Sequence, residues 1–184
     1  LSIIITRNGG DTWEKLSCSN LPMAEEGESV FTASNTIKIV GNSIWIGTSA
    51  GNIYSSNDKG FTWKVEKTPL QAIHTLDFND EFSGFAIGVA NQGTHALRTS
   101  DGGNTWQMLG ENSSLEFSSS MQFIPNTKGN ELVAIGSKGI NFSNDFGNSW
   151  RHLSNESFNT IRFLNDSVAY TAGNNRISKV TFRK

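Results

Sequence analysis

The chain of 184 residues is long enough for one domain, and its 36% hydrophobic and 17% charged residues are typical of a globular protein. Its net charge of −2, with Lys and Arg dispersed, excludes the basic footprint of a nucleic-acid-binding protein. No apolar run approaches the roughly 18 residues of a membrane span, so we expect no membrane insertion. The single cysteine, Cys18, excludes an internal disulfide and a cysteine-based zinc site.

Short runs of β-branched and apolar residues, separated by Gly, Asn, Asp and Ser, predict strands along the whole chain. Only residues 23–27 could form a helical turn, and we interpret them as part of a loop. In chain order the predicted strands are 1–6, 12–17, 36–40, 43–48, 52–56, 62–66, 72–78, 84–90, 95–99, 105–109, 120–124, 131–136, 139–143, 149–153, 160–164, 168–172 and 176–182.

Four of the five tryptophans end the same phrase, [ST]-x-[DN]-x-G-x-[ST]-W. The copies occupy 6–13, 56–63, 99–106 and 143–150, and their tryptophans are 50, 43 and 44 residues apart. A period near 45 residues, with four short strands in each period, is typical of the blades of a β-propeller. The fold class predicted is therefore all-β, a β-propeller of four-stranded antiparallel blades.

The phrase resembles the Asp-box of the BNR (bacterial neuraminidase) repeats. The strand pattern around the phrase is similar to that of the Ycf48-type assembly and stability factors of photosystem II and their non-photosynthetic bacterial relatives. The segments that carry this resemblance are Asp77-Phe78, Gly84-Phe-Ala-Ile-Gly88 and Leu97-Arg-Thr-Ser-Asp-Gly-Gly103. This resemblance covers most of the chain. It implies a propeller that scaffolds or assembles another protein.

Each fixed residue of the phrase has a structural role in the turn. The Asp or Asn accepts hydrogen bonds from backbone N–H groups two or three residues further on, the Gly supplies a positive φ, the hydroxyl residue adds a further bond, and the Trp buries its ring. Asn8 replaces Asp in the first copy, and we expect that turn to be the loosest. The predicted structural residues are Asn8, Gly10, Thr12, Trp13, Ser56, Asp58, Gly60, Thr62, Trp63, Thr99, Asp101, Gly103, Thr105, Trp106, Ser143, Asp145, Gly147, Ser149 and Trp150.

Strand counting divides the chain into one propeller region with incomplete blades at both ends. The predicted units are a partial blade 1–20, blades 30–67, 71–110 and 120–154, and a partial closing blade 158–184. Two interpretations remain open. The chain is either the C-terminal part of a larger ring of about seven blades, the count common in the similar family, or a small ring of its own.

No metal or cofactor site is predicted. His74, His95 and His152 lie in different strands or blades without a second ligand nearby. Asn57-Asp-Lys-Gly60 faintly resembles a calcium loop, but no regularly spaced Glu follows it. The structural role of the phrase is therefore preferred, and the prediction is that there are no catalytic, cofactor-binding or metal-binding residues.

The alternative function is a sialidase-like glycoside hydrolase, because the Asp-box is named from that context. Such an enzyme needs an arginine cluster and a Tyr nucleophile paired with Glu. We interpret Tyr54 and Tyr170 as ordinary packing residues, and Arg98 and Arg151 flank boxes at the rim. Most catalytic residues of such an enzyme would then lie outside this segment.

A non-catalytic binding module is the function that the sequence favours. We expect the partner to be another protein, with a glycan as a second candidate, and a periplasmic, cell-surface or secreted location in a bacterium. Loops between blades or between second and third strands are the predicted contacts, and one of them carries Glu25, Glu26 and Glu28 as a solvated acidic run. These loops are 18–29, 91–95, 110–119 and 172–176.

Overall fold

The computed structural model describes residues 2–31, 35–91, 93–110, 115–116, 118–173 and 175–182. Apart from a short 3₁₀ turn at Cys18–Asn20, the regular structure there is all β. No helix in these ranges is long and apolar enough to cross a membrane. The strands are β1 (Ile4–Ile5), β2 (Glu14–Lys15), β3 (Ile37–Val40), β4 (Ser43–Gly47), β5 (Asn52–Ser56), β6 (Lys64–Lys67), β7 (Ala72–Phe78), β8 (Gly84–Ala90), β9 (Gly93–Thr99), β10 (Gln107–Met108), β11 (Ser118–Phe123), β12 (Leu132–Gly136), β13 (Gly139–Ser143), β14 (Arg151–Ser154), β15 (Thr160–Phe163), β16 (Val168–Gly173) and β17 (Arg176–Thr181).

The strands form five antiparallel sheets, each made of consecutive strands. The first sheet contains β1 and β2, the second β3–β6, the third β7–β10, the fourth β11–β14 and the fifth β15–β17. Antiparallel neighbours joined by short turns are the arrangement of a propeller blade. The all-β propeller prediction is confirmed.

The first strand of each of the last four sheets lies nearest to a common axis. Backbone and side-chain bonds join these inner strands across the sheets: Leu76 N–H donates to Asn35 O at 2.7 Å, and Met121 N–H donates to Thr75 Oγ1 at 3.2 Å. The outer strands are mostly exposed, as in Gln107–Met108. The sheets are therefore arranged around the axis as blades.

Apolar layers between consecutive sheets hold the blades together. Ile44, Ile46 and Tyr54 face the first sheet and the loop before the second. The second and third sheets share a cluster containing Trp45, Leu76 and Phe78, the third and fourth share Phe85, Met121 and Phe123, and the fourth and fifth share Val133, Phe158 and Ile161. Strands buried on both faces read as continuous apolar runs, such as Leu132–Gly136, in place of strict alternation.

The outermost strands begin later than the sequence predicts. The fourth strand of the third sheet is Gln107–Met108 instead of 105–109, and the strand after the first phrase is Glu14–Lys15 instead of 12–17. Thr12 and Thr105 belong to the turn, because their N–H groups donate to Asn8 and Asp101, and Trp13 belongs to it because its Nε1 donates to Gly10 O.

Candidate functional site

The four box turns (6–13, 56–63, 99–106 and 143–150) share one hydrogen-bond pattern. In the turn that follows β5, Ser56 Oγ accepts from Gly60 N–H at 2.8 Å and donates to Asp58 Oδ1 at 2.7 Å. Asp58 then accepts from Thr62 N–H at 2.9 Å and from Thr62 Oγ1 at 2.6 Å. Asp101 and Asp145 repeat these bonds, so the turn is a closed polar network.

The aspartate bonds span more residues than the sequence suggests. The acceptor was expected to reach N–H groups two or three residues ahead, whereas Asp101 and Asp145 reach the residue four ahead and Asp58 reaches those three and four ahead. The reason is a pair of left-handed residues in each turn, for example Lys59 (φ 62°) and Gly60 (φ 81°), which adds a tight reversal. Only the second of the pair was predicted.

The carboxylates of the boxes have low pKa values. Hydrogen bonds from the Thr62 hydroxyl and N–H lower the pKa of Asp58 to about 2. Partial burial opposes the shift at Asp101, but bonds from Thr105 and Thr99 still lower its pKa to about 2. Asn8 keeps the same geometry without a charge, because its Oδ1 accepts from Thr12 N–H at 3.0 Å while its Nδ2 donates to Thr12 Oγ1 at 2.9 Å.

The box tryptophans do not all bury their rings as predicted. Trp13 is 64% exposed, since the first sheet offers it no adjacent apolar surface, and Trp63, Trp106 and Trp150 are half-buried. A role that the sequence did not reveal is a hydrogen bond: Trp63 Nε1 donates to Gly60 O at 3.0 Å, with equivalents at Trp13 and Trp150. Trp106 is different, because its buried Nε1 has no partner among the described residues.

Residues outside the box phrase tie the boxes of the third and fourth sheets to the preceding sheet. Trp45 Nε1 donates to Gly102 O at 2.8 Å, and Arg98 Nη1 donates to Asn148 Oδ1 at 2.9 Å. A Cβ added to Gly147 would lie 2.2 Å from Phe85 Cε2, so this glycine is also needed for close approach. Trp45 lies outside the repeated phrase, and the only sequence signal for it was the presence of a fifth tryptophan in a strand.

The candidate ligand-binding region is the axis, where inner-strand side chains converge. Asn35 Nδ2 donates to Ser120 Oγ at 2.9 Å, and Arg162 Nη2 donates to Asn35 Oδ1 at 2.6 Å. These two hydrogen bonds connect the segment just before β3 with β11 of the fourth sheet and β15 of the fifth sheet across the axis. The guanidinium of Arg162 belongs to an exposed residue, so it presents positive charge to solvent there.

Asp77 is a buried carboxylate near this axis. It forms an ion pair with Lys38 Nζ at 2.5 Å and accepts from Phe123 N–H at 2.8 Å. Burial raises the pKa of Asp77, although Lys38 and the Phe123 N–H favour its charged form. The aspartate thus links the second, third and fourth sheets, and both of its oxygens are occupied.

Two inner strands carry bulges at the same end of the axis. The register shifts around His74 in β7 and around Ser119 in β11. His74 is half-buried, burial lowers its pKa, and Phe31 packs edge-on against it with ring centroids 5.3 Å apart. Bulges re-aim side chains, and they often occur next to binding sites.

The predicted contact loops are described in part. The interpretation of the acidic run as solvated is wrong for Glu28. Its carboxylate accepts hydrogen bonds from Thr48 Oγ1 at 2.5 Å, Asn52 Nδ2 at 3.0 Å and Tyr54 Oη at 2.9 Å. Glu25 pairs with Lys67 at 2.8 Å, and Glu26 is exposed. The parts of the other predicted loops at 92, 111–114, 117 and 174 lie outside the described residues.

The remaining residues considered for chemistry are dispersed. Tyr54 is buried, as predicted, but Tyr170 is 47% exposed, so its interpretation as a packing residue is wrong. His152 lies between Asn141 and Asn155. The described residues contain no group of three or more His, Cys, Asp or Glu that could hold a metal ion.

Comparison with known proteins places this geometry among β-propellers. No protein-family model matches the chain. In an alignment 138 positions long, which covers 59% of this chain, it is 26% identical to the xyloglucanase Xgh74A of Acetivibrio thermocellus, of which it covers 16%.

Solved structures give the same fold. The chain matches a structure of Ycf48 bound to a D1 peptide with a TM-score of 0.57 and 15% identity, covering 85% of this chain and 56% of that one. It matches the GH74 enzyme of Niastella koreensis with a TM-score of 0.60 and 17% identity, covering 77% of this chain and 27% of that one. The chain also matches Ycf48 from Cyanidioschyzon merolae with a TM-score of 0.56 and 13% identity, and the match covers 85% of this chain and 60% of that one. The chain therefore has the β-propeller fold of the Ycf48 and GH74 proteins, and it spans only part of the length of each.

Proposed function

We propose that this chain supplies part of a non-catalytic propeller that binds a segment of another protein at its axis, outside the cytoplasm. The observation that carries the proposal is a set of polar side chains on the four inner strands. They are Lys38 on β3, Asp77 on β7, Gln122 on β11 and Arg162 on β15. Asp77 is engaged by Lys38 and by a backbone N–H, and Gln122 Oε1 accepts from Phe163 N–H at 2.9 Å. These groups link blades, so they are committed to structure.

Arg162 is the exposed charge in this set, and bonds from Nη1 to Ile161 O and from Nη2 to Asn35 Oδ1 orient it. A guanidinium has five N–H donors, so those that remain in this fixed plane suit a carboxylate. We therefore expect the bound segment to carry an acidic side chain or a C-terminal carboxylate. The similarity to a Ycf48 structure that contains a bound peptide supports a peptide ligand.

The test is fluorescence anisotropy with labelled pools of acidic, neutral and basic decapeptides. We expect saturable binding of the acidic pool and a loss of about tenfold in affinity in Arg162→Ala, since a charge-assisted bond contributes about 1.5–3 kcal/mol. Arg151→Ala is the matched control, because Arg151 is an exposed arginine on the outer strand β14. Equal binding of all three pools, or no effect of Arg162→Ala, would refute the proposal.

A glycoside hydrolase is the second candidate, and one observation favours it: the 26% identity to a xyloglucanase over 138 aligned positions. A retaining or inverting hydrolase of the usual kind requires two carboxyl groups on either side of the scissile bond. Release of reducing ends from xyloglucan by the whole protein would establish this candidate. Its absence, together with peptide binding, would support the binding module.

The location is tested separately. Fractionation of the source cells, followed by detection of the native protein, should place it outside the cytoplasm. Recovery with cytoplasmic markers would contradict this part of the proposal.

A further inference from the structure

A groove of about 390 Å³ lies between the second and third sheets, away from the axis. Its floor is Trp45, which stacks on Phe78 with ring centroids 3.7 Å apart. One wall comes from β5, β6 and their connecting box, and the other from the turn before β8 and the box that follows β9. A volume of this size is in the range of small-ligand sites.

A buried hydroxyl in this groove has no partner. Ser55 is 4% exposed and lines the groove, and its Oγ makes no hydrogen bond to any described residue. A buried polar group without a partner costs about 1–3 kcal/mol, so natural proteins rarely keep one without a reason. Solvent does not reach this Oγ in the present rotamer, and a rotation about the Cα–Cβ bond of Ser55 would turn it toward a ligand hydroxyl seated in the groove.

The rim adds groups that are also available. Asn57 and Glu81 line the groove, and neither side chain bonds to a described residue. Phe82 is 63% exposed beside them, and half-buried Trp63 presents a second aromatic surface. The groove thus combines an alcohol, an amide and a carboxylate with aromatic rings.

The charges in the groove disfavour an anionic ligand. Lys64 is its cation, and the ammonium group already donates to Asn104 Oδ1. Glu81 and Asp101 supply two carboxylates to the lining. A phosphate or sulfate would therefore meet like charge, whereas a neutral ligand would not.

We infer that this groove binds a neutral saccharide. The C–H faces of a sugar ring pack on aromatic rings such as Phe82 and Trp63, while its hydroxyl groups donate to Glu81 and exchange bonds with Asn57 and Ser55. This site is separate from the axial peptide site, and it does not depend on that proposal.

The experiment is calorimetric titration of the whole protein with cellotetraose, xylotetraose and maltotetraose. We expect saturable binding of at least one of them, with a change in tryptophan fluorescence because Trp45 and Trp63 line the groove. Tetragalacturonate is the charged comparison, and we expect it to bind more weakly. Saturable binding of none of the neutral sugars, or tighter binding of tetragalacturonate, would overturn the inference.

Two variants locate the site. Phe82→Ala should weaken binding about tenfold. Phe61→Ala is the matched control, since Phe61 is 60% exposed but lies outside the groove lining. Unchanged affinity in Phe82→Ala would overturn the assignment to this groove.

Ser55→Ala distinguishes a ligand-binding role of the Ser55 hydroxyl from a role in stabilising the fold. Removal of an unpartnered buried hydroxyl should leave the melting temperature unchanged or raise it, while saccharide affinity falls about fivefold. A structural role for Ser55 would instead lower the melting temperature. Sugar binding that survives Ser55→Ala and Phe82→Ala but is lost in Arg162→Ala would move the saccharide to the axis and refute the groove.

Discussion

The indole Nε1 of Trp45 donates a hydrogen bond of 2.8 Å to the carbonyl oxygen of Gly102. Trp45 lies on β4 of the second sheet, and Gly102 is one of the two left-handed residues in the box of the third sheet. The bond therefore fixes a turn of one blade to the core of the preceding blade. The box turns do more than close their own hairpins, because they also set how neighbouring blades pack.

Trp45→Phe should lower the free energy of unfolding by about 1–3 kcal/mol. The variant keeps an aromatic ring to stack on Phe78 but loses the donor to Gly102. Chemical denaturation measures the effect. Trp13→Phe is the control, since it also removes an indole donor, to Gly10 O, but from a residue that is 64% exposed, where we expect a change below about 0.5 kcal/mol.

Trp106→Phe should be better tolerated than Trp63→Phe or Trp150→Phe. The Nε1 of Trp106 is buried without a partner among the described residues, whereas Trp63 and Trp150 donate to Gly60 O and Gly147 O. We expect the Trp106 variant to be about 1 kcal/mol more stable than the other two, measured by urea unfolding. Equal losses in all three variants would contradict the assignment of an orphan donor.

Gly147→Ala should destabilise the protein by about 2–4 kcal/mol. Its φ of +79° disfavours a side chain, and the new Cβ would overlap the Phe85 ring at 2.2 Å. Gly9→Ala is the matched control, because Gly9 has a φ of +75° but nothing within 4 Å of the added Cβ. We expect about 1–2 kcal/mol for that control, so the difference in thermal or urea stability measures the close approach.

Stability should fall as the pH drops from about 4 to about 2. The folded-state pKa of Asp58 and of Asp101 is about 2, below the usual 3.8, so each carboxylate stabilises the folded state above pH 4 and loses this effect as it becomes protonated. The pKa values of Glu25, Glu28 and Asp80 are also lowered, so these carboxylates share in the acid-induced loss. Asp101→Asn should therefore reduce that loss measurably, but by less than about a third. Urea midpoints between pH 6 and pH 2 provide the test.

The geometry of Asp101→Asn is already present in the chain. Asn8 forms the same turn with its amide donating to Thr12 Oγ1. The variant should therefore fold at neutral pH, and an acid response identical to that of the parent protein would contradict the prediction.

Glu28→Ala should release the segment before the second sheet. The carboxylate accepts hydrogen bonds from Thr48, Asn52 and Tyr54. Burial by itself raises the pKa of Glu28, but these bonds outweigh it and hold the pKa below the usual range. We expect faster proteolysis around Met23–Gly27 and faster amide exchange there, by about tenfold or more. Glu26→Ala is the control, since Glu26 is exposed, and equal protease sensitivity of the two variants would refute the anchoring role.

The sequence alone determined the repeat, the strand order and the blade architecture. These features are local: a strand pattern and a turn phrase recur every 43 to 50 residues, and each phrase carries its own Asp or Asn, Gly, hydroxyl and Trp. The positive φ of Gly60 and Gly103 follows from the same local chemistry. The first left-handed residue of each turn was not predicted, and in two of the turns it is Lys59 or Phe146, which carry no residue-type signal for a positive φ.

Only the tertiary structure decided which residues meet between blades. The bond from Trp45 to Gly102 joins residues 57 apart, and the bond from Arg162 to Asn35 joins residues 127 apart. No periodic pattern encodes such pairs, since they depend on the angle and spacing at which whole sheets pack. The loop before the second sheet packs back on that sheet and turns Glu28 from a solvated charge into an anchor. The axis and the groove that contains Ser55 arise from contacts between sheets.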